Sequence, residues 1–204
     1  MNKNFHKIHK YLLDRSEKLP FLRNQIKINK IISINDTELD FFFYFCKIII
    51  SQQISNNIAK ILWKDFCNIS KIDKLKFKIF PRKSNLLKTL EQAKISMKKK
   101  QYIENLYDLI IKKKISPEEL FTLTDCKLKN KLISLNGVGP WTADMMLIFF
   151  FKRLNIFPID DLVIKKVMLK IKEEESLKIN FNSEFTPFLS ILSLHFWKMS
   201  DRIL

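Results

Sequence analysis

The sequence predicts an all-α fold, and three observations support that prediction. Only two glycines and six prolines occur among 204 residues, whereas turn-rich β folds consume both residue types. No Asn-Gly turn stands between runs of alternating apolar and polar residues, as it would in a β-hairpin. Apolar residues recur instead at helical spacing, as Leu128, Leu132 and Leu135 do.

Individual helices are predicted from this spacing and from their capping residues. Ser116-Pro117-Glu118-Glu119 has the cap, the first-turn proline and the glutamates of a capping box. Asn35 or Asp36 is expected to cap the helix that contains the apolar run 41–50. Asn68–Pro81 and Lys172–Asn182 are expected to be loops or short turns. The predicted helices are 5–17, 36–50, 54–67, 84–93, 97–112, 117–122, 125–134, 140–152, 161–173 and 183–200.

The chain is strongly basic, with a formal net charge of +16. Such a charge favours association with polyanions. However, the chain is also rich in Lys, Ile, Asn and Phe and poor in Arg, a composition that an A+T-rich coding sequence also produces. The runs Lys98-Lys99-Lys100 and Lys112-Lys113-Lys114 are therefore predicted mainly as solvated helix faces. The charge indicates a polyanionic partner without identifying it.

The three cysteines are Cys46, Cys67 and Cys126, and they form no Cys-x-x-Cys pair or Cys/His cluster. This spacing supports neither a zinc site nor a disulfide framework, and it is typical of a reducing compartment. The longest apolar stretches are too short to span a bilayer, and the basic N-terminus lacks the apolar core of a signal peptide. We therefore expect a cytoplasmic monomer with no cofactor and no membrane association.

Both glycines stand in one segment, Leu135-Asn136-Gly137-Val138-Gly139-Pro140-Trp141-Thr142-Ala143. Helical spacing on either side predicts two helices joined by a tight hairpin, with Pro140 in the first turn of the second helix. The amide groups at the start of that helix form a candidate phosphate site. An ordinary turn between helices is the alternative for such a Gly-x-Gly taken alone.

Asp161 follows Gly139 by 22 residues. A helix beginning at Pro140 covers roughly 18 Å, and the turn through Pro158 can then return Asp161 to a cleft beside the hairpin. Asp160 or Asp161 can also cap the helix that begins at Leu162, so a purely structural role is the alternative.

The glycine segment, followed by Asp161, resembles the helix-hairpin-helix DNA glycosylases, and most closely their DNA-3-methyladenine glycosylase II branch. Three further segments are similar to that branch, in the same order along the chain. They are Ile49-Ile50-Ser51-Gln52-Gln53-Ile54-Ser55, the basic segment 95–102, and 187–197, which ends in Leu194-His195-Phe196-Trp197.

The resemblance implies a two-lobed helix-hairpin-helix fold with the active-site cleft between the lobes. Residues 41–155 would form the central lobe with the hairpin, and 1–40 with 156–204 would form the second lobe, which carries Asp161. The implied activity is hydrolysis of the N-glycosidic bond of alkylated purines, such as 3-methyladenine, in double-stranded DNA. This is base excision repair, with the damaged base flipped out of the duplex.

The resemblance also implies a role for each site residue. Asp161 would be catalytic, either by stabilising the oxocarbenium-like transition state or by activating water. Trp141 stands where bifunctional relatives have their Schiff-base lysine, which implies a monofunctional enzyme. The base pocket would consist of Trp141, Trp197 and Met145; the DNA-binding residues would be Gly137, Val138, Gly139, Thr142, Gln52 and Gln53; and carbonyls of Ile133, Leu135 and Val138 would hold a monovalent cation.

Alternatives remain for several of these residues and for the function. Either tryptophan alone could be a core residue, and Gln53 could be a surface glutamine rather than the wedge that fills the gap left by the base. The chain could be a non-catalytic helix-hairpin-helix DNA-binding protein. It could also be a sister glycosylase that acts on mismatched or oxidised bases.

Overall fold

A computed structural model describes residues 4–70, 83–176 and 178–204. These residues form α-helices and no strands, which confirms the all-α prediction. The helices are α1 (Phe5–Arg15), α2 (Pro20–Asn29), α3 (Phe41–Ser51), α4 (Asn56–Ile69), α5 (Lys83–Gln92), α6 (Met97–Ile111), α7 (Pro117–Leu120), α8 (Asp125–Ile133), α9 (Pro140–Phe149), α10 (Leu162–Glu175), α11 (Phe181–Phe185) and α12 (Leu189–Ile203).

Side-chain caps explain where several of these helices begin. The side chains of Ser55, Ser96 and Ser116 each accept a hydrogen bond from a backbone amide three residues ahead. Asp40 caps α3 in the same way, with Oδ1 3.0 Å from the amide nitrogen of Phe43. The predicted start near Asp36 is therefore wrong. Thr37 Oγ1 instead accepts a hydrogen bond from the amide of Leu39. This local bond competes with the backbone hydrogen bonds of a helix.

The other errors of the helix prediction have local causes. Helix α2 was missed because it buries only a narrow apolar stripe, Leu22 and Ile26. The single helix predicted over 183–200 is two helices, with Pro187, which has no amide hydrogen, in the break. Helix α10 extends to Glu175, beyond the predicted loop start. Most of the predicted loop Asn68–Pro81 lies outside the described residues.

The chain forms two compact units. The first comprises Met1–Asn35 with Asp144–Leu204, and the second comprises Asp36–Ala143. Helix α9 begins in the second unit and continues in the first. In the first unit, α2 packs against both α10 and α12. Fully buried core residues of this unit include Leu12, Leu22, Ile26, Ile164, Val167, Leu192 and Phe196.

The core of the second unit is rich in phenylalanine from α3. Helix α3 packs against α4 and α6. Fully buried residues include Phe43, Phe45, Ile49, Phe66, Leu86, Ile103 and Leu132. Among the described helices of either unit, none combines the length and the apolar character needed to cross a membrane.

Candidate functional site

The predicted hairpin is formed by α8, the connection 134–139 and α9. Two backbone bonds shape the connection: the amide of Leu135 donates to Leu132 O at 3.0 Å, and the amide of Val138 donates to Leu135 O at 3.0 Å. Pro140 is the first residue of α9, as predicted. The amide of Ala143 then donates to Gly139 O at 2.9 Å and makes the first bond of that helix.

The structure requires glycine at one of the two glycine positions and not at the other. Gly137 has φ +89°, and a Cβ at this position would lie 2.4 Å from Tyr102 Cδ2 and 3.0 Å from Ile49 Cδ1. Both the backbone conformation and the packing therefore require glycine at 137. At Gly139, a Cβ would have no atom of the described chain within 4 Å. The packing of the chain itself does not require glycine at 139.

Gln52 connects the end of α3 to the hairpin. Its Nε2 donates to Gly137 O at 2.8 Å and lies 3.4 Å from Thr142 Oγ1. The structure therefore brings together three of the predicted DNA-binding residues, Gln52, Gly137 and Thr142, and the Thr142 side chain is buried. Gln53, the next residue, is exposed and has φ +58°.

The start of α9 has the features of an anion site. The first amides of a helix have no acceptor within that helix, and the helix dipole is positive there. Trp141, in this first turn, is 46% exposed.

The structure also bears on the carbonyls that are predicted to hold a monovalent cation. The carbonyl of Leu135 accepts a hydrogen bond from the amide of Val138. A carbonyl oxygen has a second lone pair, so the cation site over Ile133, Leu135 and Val138 stays a prediction.

In the first unit, Asp161 caps α10. Its Oδ1 accepts the amides of Val163 and Ile164, both at 2.9 Å, and the residue is 8% exposed. The capping interpretation of this aspartate is therefore confirmed, for Asp161 rather than Asp160. Asp160 has an exposed side chain that pairs with Lys165 at 3.5 Å.

Asp161 has a further partner that a capping role does not need. Trp197 Nε1, on α12, lies 3.2 Å from the same Oδ1 and donates to it. The Trp197 ring stacks on Phe149, with centroids 6.0 Å apart and planes at 28°. We call this group of Asp161, Trp197 and Phe149 the acid–aromatic corner. A carboxylate and the N–H edge of an indole are thus held together across 36 residues of chain.

The sequence did not predict Phe149 as a site residue, although a helical signal was present. Trp141, Met145 and Phe149 stand four residues apart along α9 and so share one face of that helix. The predicted pocket residue Met145 is half-buried. Extending the predicted pair Trp141 and Met145 by one more turn would have identified Phe149.

Sequence comparison finds two Bacillus subtilis relatives with similar names. The chain is 28% identical over 171 residues to YfjP, a candidate DNA-3-methyladenine glycosylase, covering 78% of this chain and 60% of the relative. It is 26% identical over 175 residues to a DNA-3-methyladenine glycosylase, covering 78% of this chain and 57% of the relative. The chain therefore matches less than two thirds of the length of these relatives. No family model matches the chain.

Solved structures show the same fold. A DNA-3-methyladenine glycosidase from Bacillus halodurans superposes with a TM-score of 0.79 at 21% identity, covering 95% of this chain and 88% of that one. The Schizosaccharomyces pombe 3-methyladenine DNA glycosylase, solved in complex with abasic DNA, gives 0.65 at 20% identity, covering 96% and 97%. At these identities the likeness establishes the fold.

Proposed function

The chain belongs to the helix-hairpin-helix DNA glycosylase superfamily, and we propose that it is a monofunctional DNA-3-methyladenine glycosylase. It would hydrolyse the N-glycosidic bond of alkylated purines in double-stranded DNA. The observation that carries this proposal is the hydrogen bond from Trp197 Nε1 to Asp161 Oδ1 at 3.2 Å. It places an aromatic ring, which can hold a base, beside a buried carboxylate, which can stabilise charge on a sugar.

The reaction requires little acid catalysis. The bond from sugar C1′ to the base nitrogen breaks with its electron pair going to the base, so an alkylated, cationic purine leaves as a neutral molecule. The sugar is left as an oxocarbenium-like ion. Water then adds at C1′, and the proton it loses passes to the Asp161 carboxylate or to solvent. Asp161 would contribute chiefly by stabilising the developing positive charge in a poorly solvated place.

Aromatic faces would select the base. A base that carries positive charge is attracted to the face of a tryptophan ring, by about 0.5–2 kcal/mol depending on solvation. Trp197 is held in place by Asp161 and Phe149, and Trp141 is exposed on α9. Met145, on the same face of α9 as Trp141, would contribute an adaptable apolar contact to the flipped base.

The hairpin would hold the DNA backbone. The amides at the start of α9 would bind a phosphate without reading sequence. At Gly139 a Cβ would meet no atom of the described chain, which leaves that side of the backbone accessible to a phosphate. Gln53, exposed with a left-handed backbone, would be the wedge that replaces the flipped nucleotide.

The decisive variant is Asp161→Asn. Asparagine is as good an N-cap as aspartate, and its side-chain oxygen can still accept from Val163, Ile164 and Trp197. The variant therefore removes the charge while preserving the cap. Release of 3-methyladenine from methylated duplex DNA should fall by about a hundredfold or more, while DNA affinity is retained.

Asp160→Asn is the matched control, because it removes an exposed carboxylate from the adjacent position. It should leave base release unchanged. If the unmodified protein binds DNA but releases no base, or if Asp161→Asn is fully active, the proposed reaction is wrong. A monofunctional enzyme should also leave the abasic strand unbroken until alkali is added.

A DNA-binding protein without catalysis is the second candidate. One observation favours it: the cap bonds to Val163 and Ile164 already account for the burial of Asp161. Such a protein would bind duplex DNA and release no base from methylated, mismatched or oxidised duplexes. Release from only the mismatched or oxidised duplexes would instead identify a sister glycosylase.

A further inference from the structure

Lys99, in the first turn of α6, has an unexpected environment. The sequence predicts a solvated helix face for Lys98, Lys99 and Lys100, and that prediction is wrong for Lys99. Its Nζ donates to Ile50 O at 2.9 Å and to Gln52 O at 2.8 Å, and the side chain is partly buried. These two carbonyls lie at the C-terminal end of α3 and just beyond it.

This position favours a cation. The last carbonyls of a helix lack donors within the helix, and the helix dipole is negative there. Burial lowers the pKa of Lys99, because the ammonium group loses contact with water. The two carbonyl oxygens favour the charged form and so oppose that effect. Lys99 therefore acts as a charged C-cap for α3, supplied by another helix.

The residue held by Lys99 is also the residue that holds the hairpin. Gln52 presents its backbone carbonyl to Lys99 and its side-chain Nε2 to Gly137 O, at 2.8 Å. Tyr102 follows Lys99 by three residues on α6. Its ring packs against Gly137 and occupies the space that a Cβ would need. Helix α6 thus reaches the hairpin twice, directly through Tyr102 and through Gln52 by way of Lys99.

We infer that Lys99 is a positioning residue for the hairpin: it fixes the end of α3 so that Gln52 holds the Gly137 turn in its DNA-binding conformation, and it does not itself contact DNA. The consequence for DNA rests on the proposed function. The effect on the hairpin does not, because the contacts are all within the second unit of the free protein.

The first test uses the free protein. Lys99→Met keeps an unbranched side chain of similar length and removes the donor. Backbone amide exchange of Val138 and Ala143, whose hydrogen bonds define the turn, should become about two- to thirtyfold faster. The amide of Leu106, which is buried in the same unit, serves as the reference: its exchange rate shows whether the whole unit, rather than the turn alone, opens more often. Unchanged exchange at Val138 and Ala143 would overturn the inference, whether or not the protein binds DNA.

The second test separates positioning from a direct phosphate contact. Lys99→Met should weaken binding to duplex DNA by about two- to thirtyfold and leave the dependence of log K on log salt unchanged. A lysine that neutralises a phosphate would instead reduce that slope by about 0.9 when removed. A reduced slope would therefore contradict the inference.

Lys94→Met is the matched control, since it removes the same charge from an exposed side chain five positions earlier. It should leave exchange at Val138 and Ala143 unchanged. Lys99→Arg should restore slow exchange, because a guanidinium can donate to both carbonyls. Failure of Lys99→Arg to restore it would overturn the assignment.

If Lys99→Met does not fold, Gln52→Leu tests the next contact in the same chain. It removes the donor to Gly137 O, while Lys99 can still donate to the carbonyls of residues 50 and 52. The amides of Val138 and Ala143 should therefore exchange faster. Slow exchange in Gln52→Leu would overturn the inference. Wild-type protein that neither binds DNA nor releases base would refute the proposed function, and the exchange results would still decide the role of Lys99.

Discussion

The hairpin and the acid–aromatic corner are both proposed to act on DNA, yet they are built in different ways. The hairpin depends on its own backbone: a left-handed Gly137 and the bonds from Val138 and Ala143 within a few residues. The corner depends on a side-chain bond between residues 36 positions apart, Asp161 and Trp197. A local substitution can therefore destroy the hairpin, whereas the corner depends on how α10 and α12 pack.

The supports beneath the two regions differ as well. The hairpin rests on Tyr102 of α6 and on Gln52, the residue that follows α3. The corner is carried by α10 and α12, and α2 packs against both. A hydrogen bond from the amide of Leu22 to Glu175 Oε1 at 2.8 Å connects α2 to the end of α10. Asn29 Nδ2 connects α2 to α12 by donating to His195 O at 2.9 Å.

The largest expected loss of stability comes from Gly137→Ala. An alanine at φ +89° is strained, and its Cβ would lie 2.4 Å from the Tyr102 ring. Strain and overpacking together should cost about 3 kcal/mol of unfolding free energy. Urea denaturation of the variant and the wild type measures this difference.

Gly139→Ala is the paired control within the same turn, because its Cβ would meet no described atom within 4 Å. Its unfolding free energy should change by less than about 0.5 kcal/mol. Its DNA affinity should fall, since the methyl group would stand where a phosphate approaches. Equal stability losses at 137 and 139 would contradict the distinction drawn between the two glycines.

Acid should destabilise the part of the fold that carries the acid–aromatic corner, because a buried histidine lies on the same helix as Trp197. His195 is fully buried on α12, two residues before Trp197, and its ring is stacked near that of His9. Burial, with smaller effects of His9 and Lys198, lowers the pKa of His195 to about 3. The unfolded chain binds a proton near pH 6.5 and the folded chain does not, so stability is lost as the pH falls from about 6.5 towards 3.

The slope should approach about 1.4 kcal/mol per pH unit for this one group. Denaturation midpoints at pH 7, 6 and 5 measure it, and His195→Gln, which cannot titrate, supplies the reference. The difference in stability between wild type and variant should shrink as the pH falls. A difference that stays constant over this range would show that His195 titrates normally in the folded protein.

The sequence predicted the hairpin well because its determinants are local. Two glycines in a chain that has no others, with Pro140 after them, mark a turn that leads into a helix. Asp161 was found through its distance from the hairpin and through resemblance. Its bond to Trp197 could not be derived from the sequence, because the bond depends on the packing of two helices. Lys99 was missed because a carbonyl acceptor on another helix leaves no sequence signal.

A final variant defines the role of the indole in the acid–aromatic corner. Trp197→Phe keeps an aromatic ring that can stack on Phe149 but removes the Nε1 donor to Asp161 Oδ1. The carboxylate keeps its cap bonds to Val163 and Ile164, so the fold should persist. Loss of one bond to a charged acceptor corresponds to about 1.5–3 kcal/mol at most, and base release should fall by about tenfold. If Trp197→Phe releases base at the wild-type rate while Trp197→Ala does not, the ring matters to the reaction and its bond to Asp161 does not.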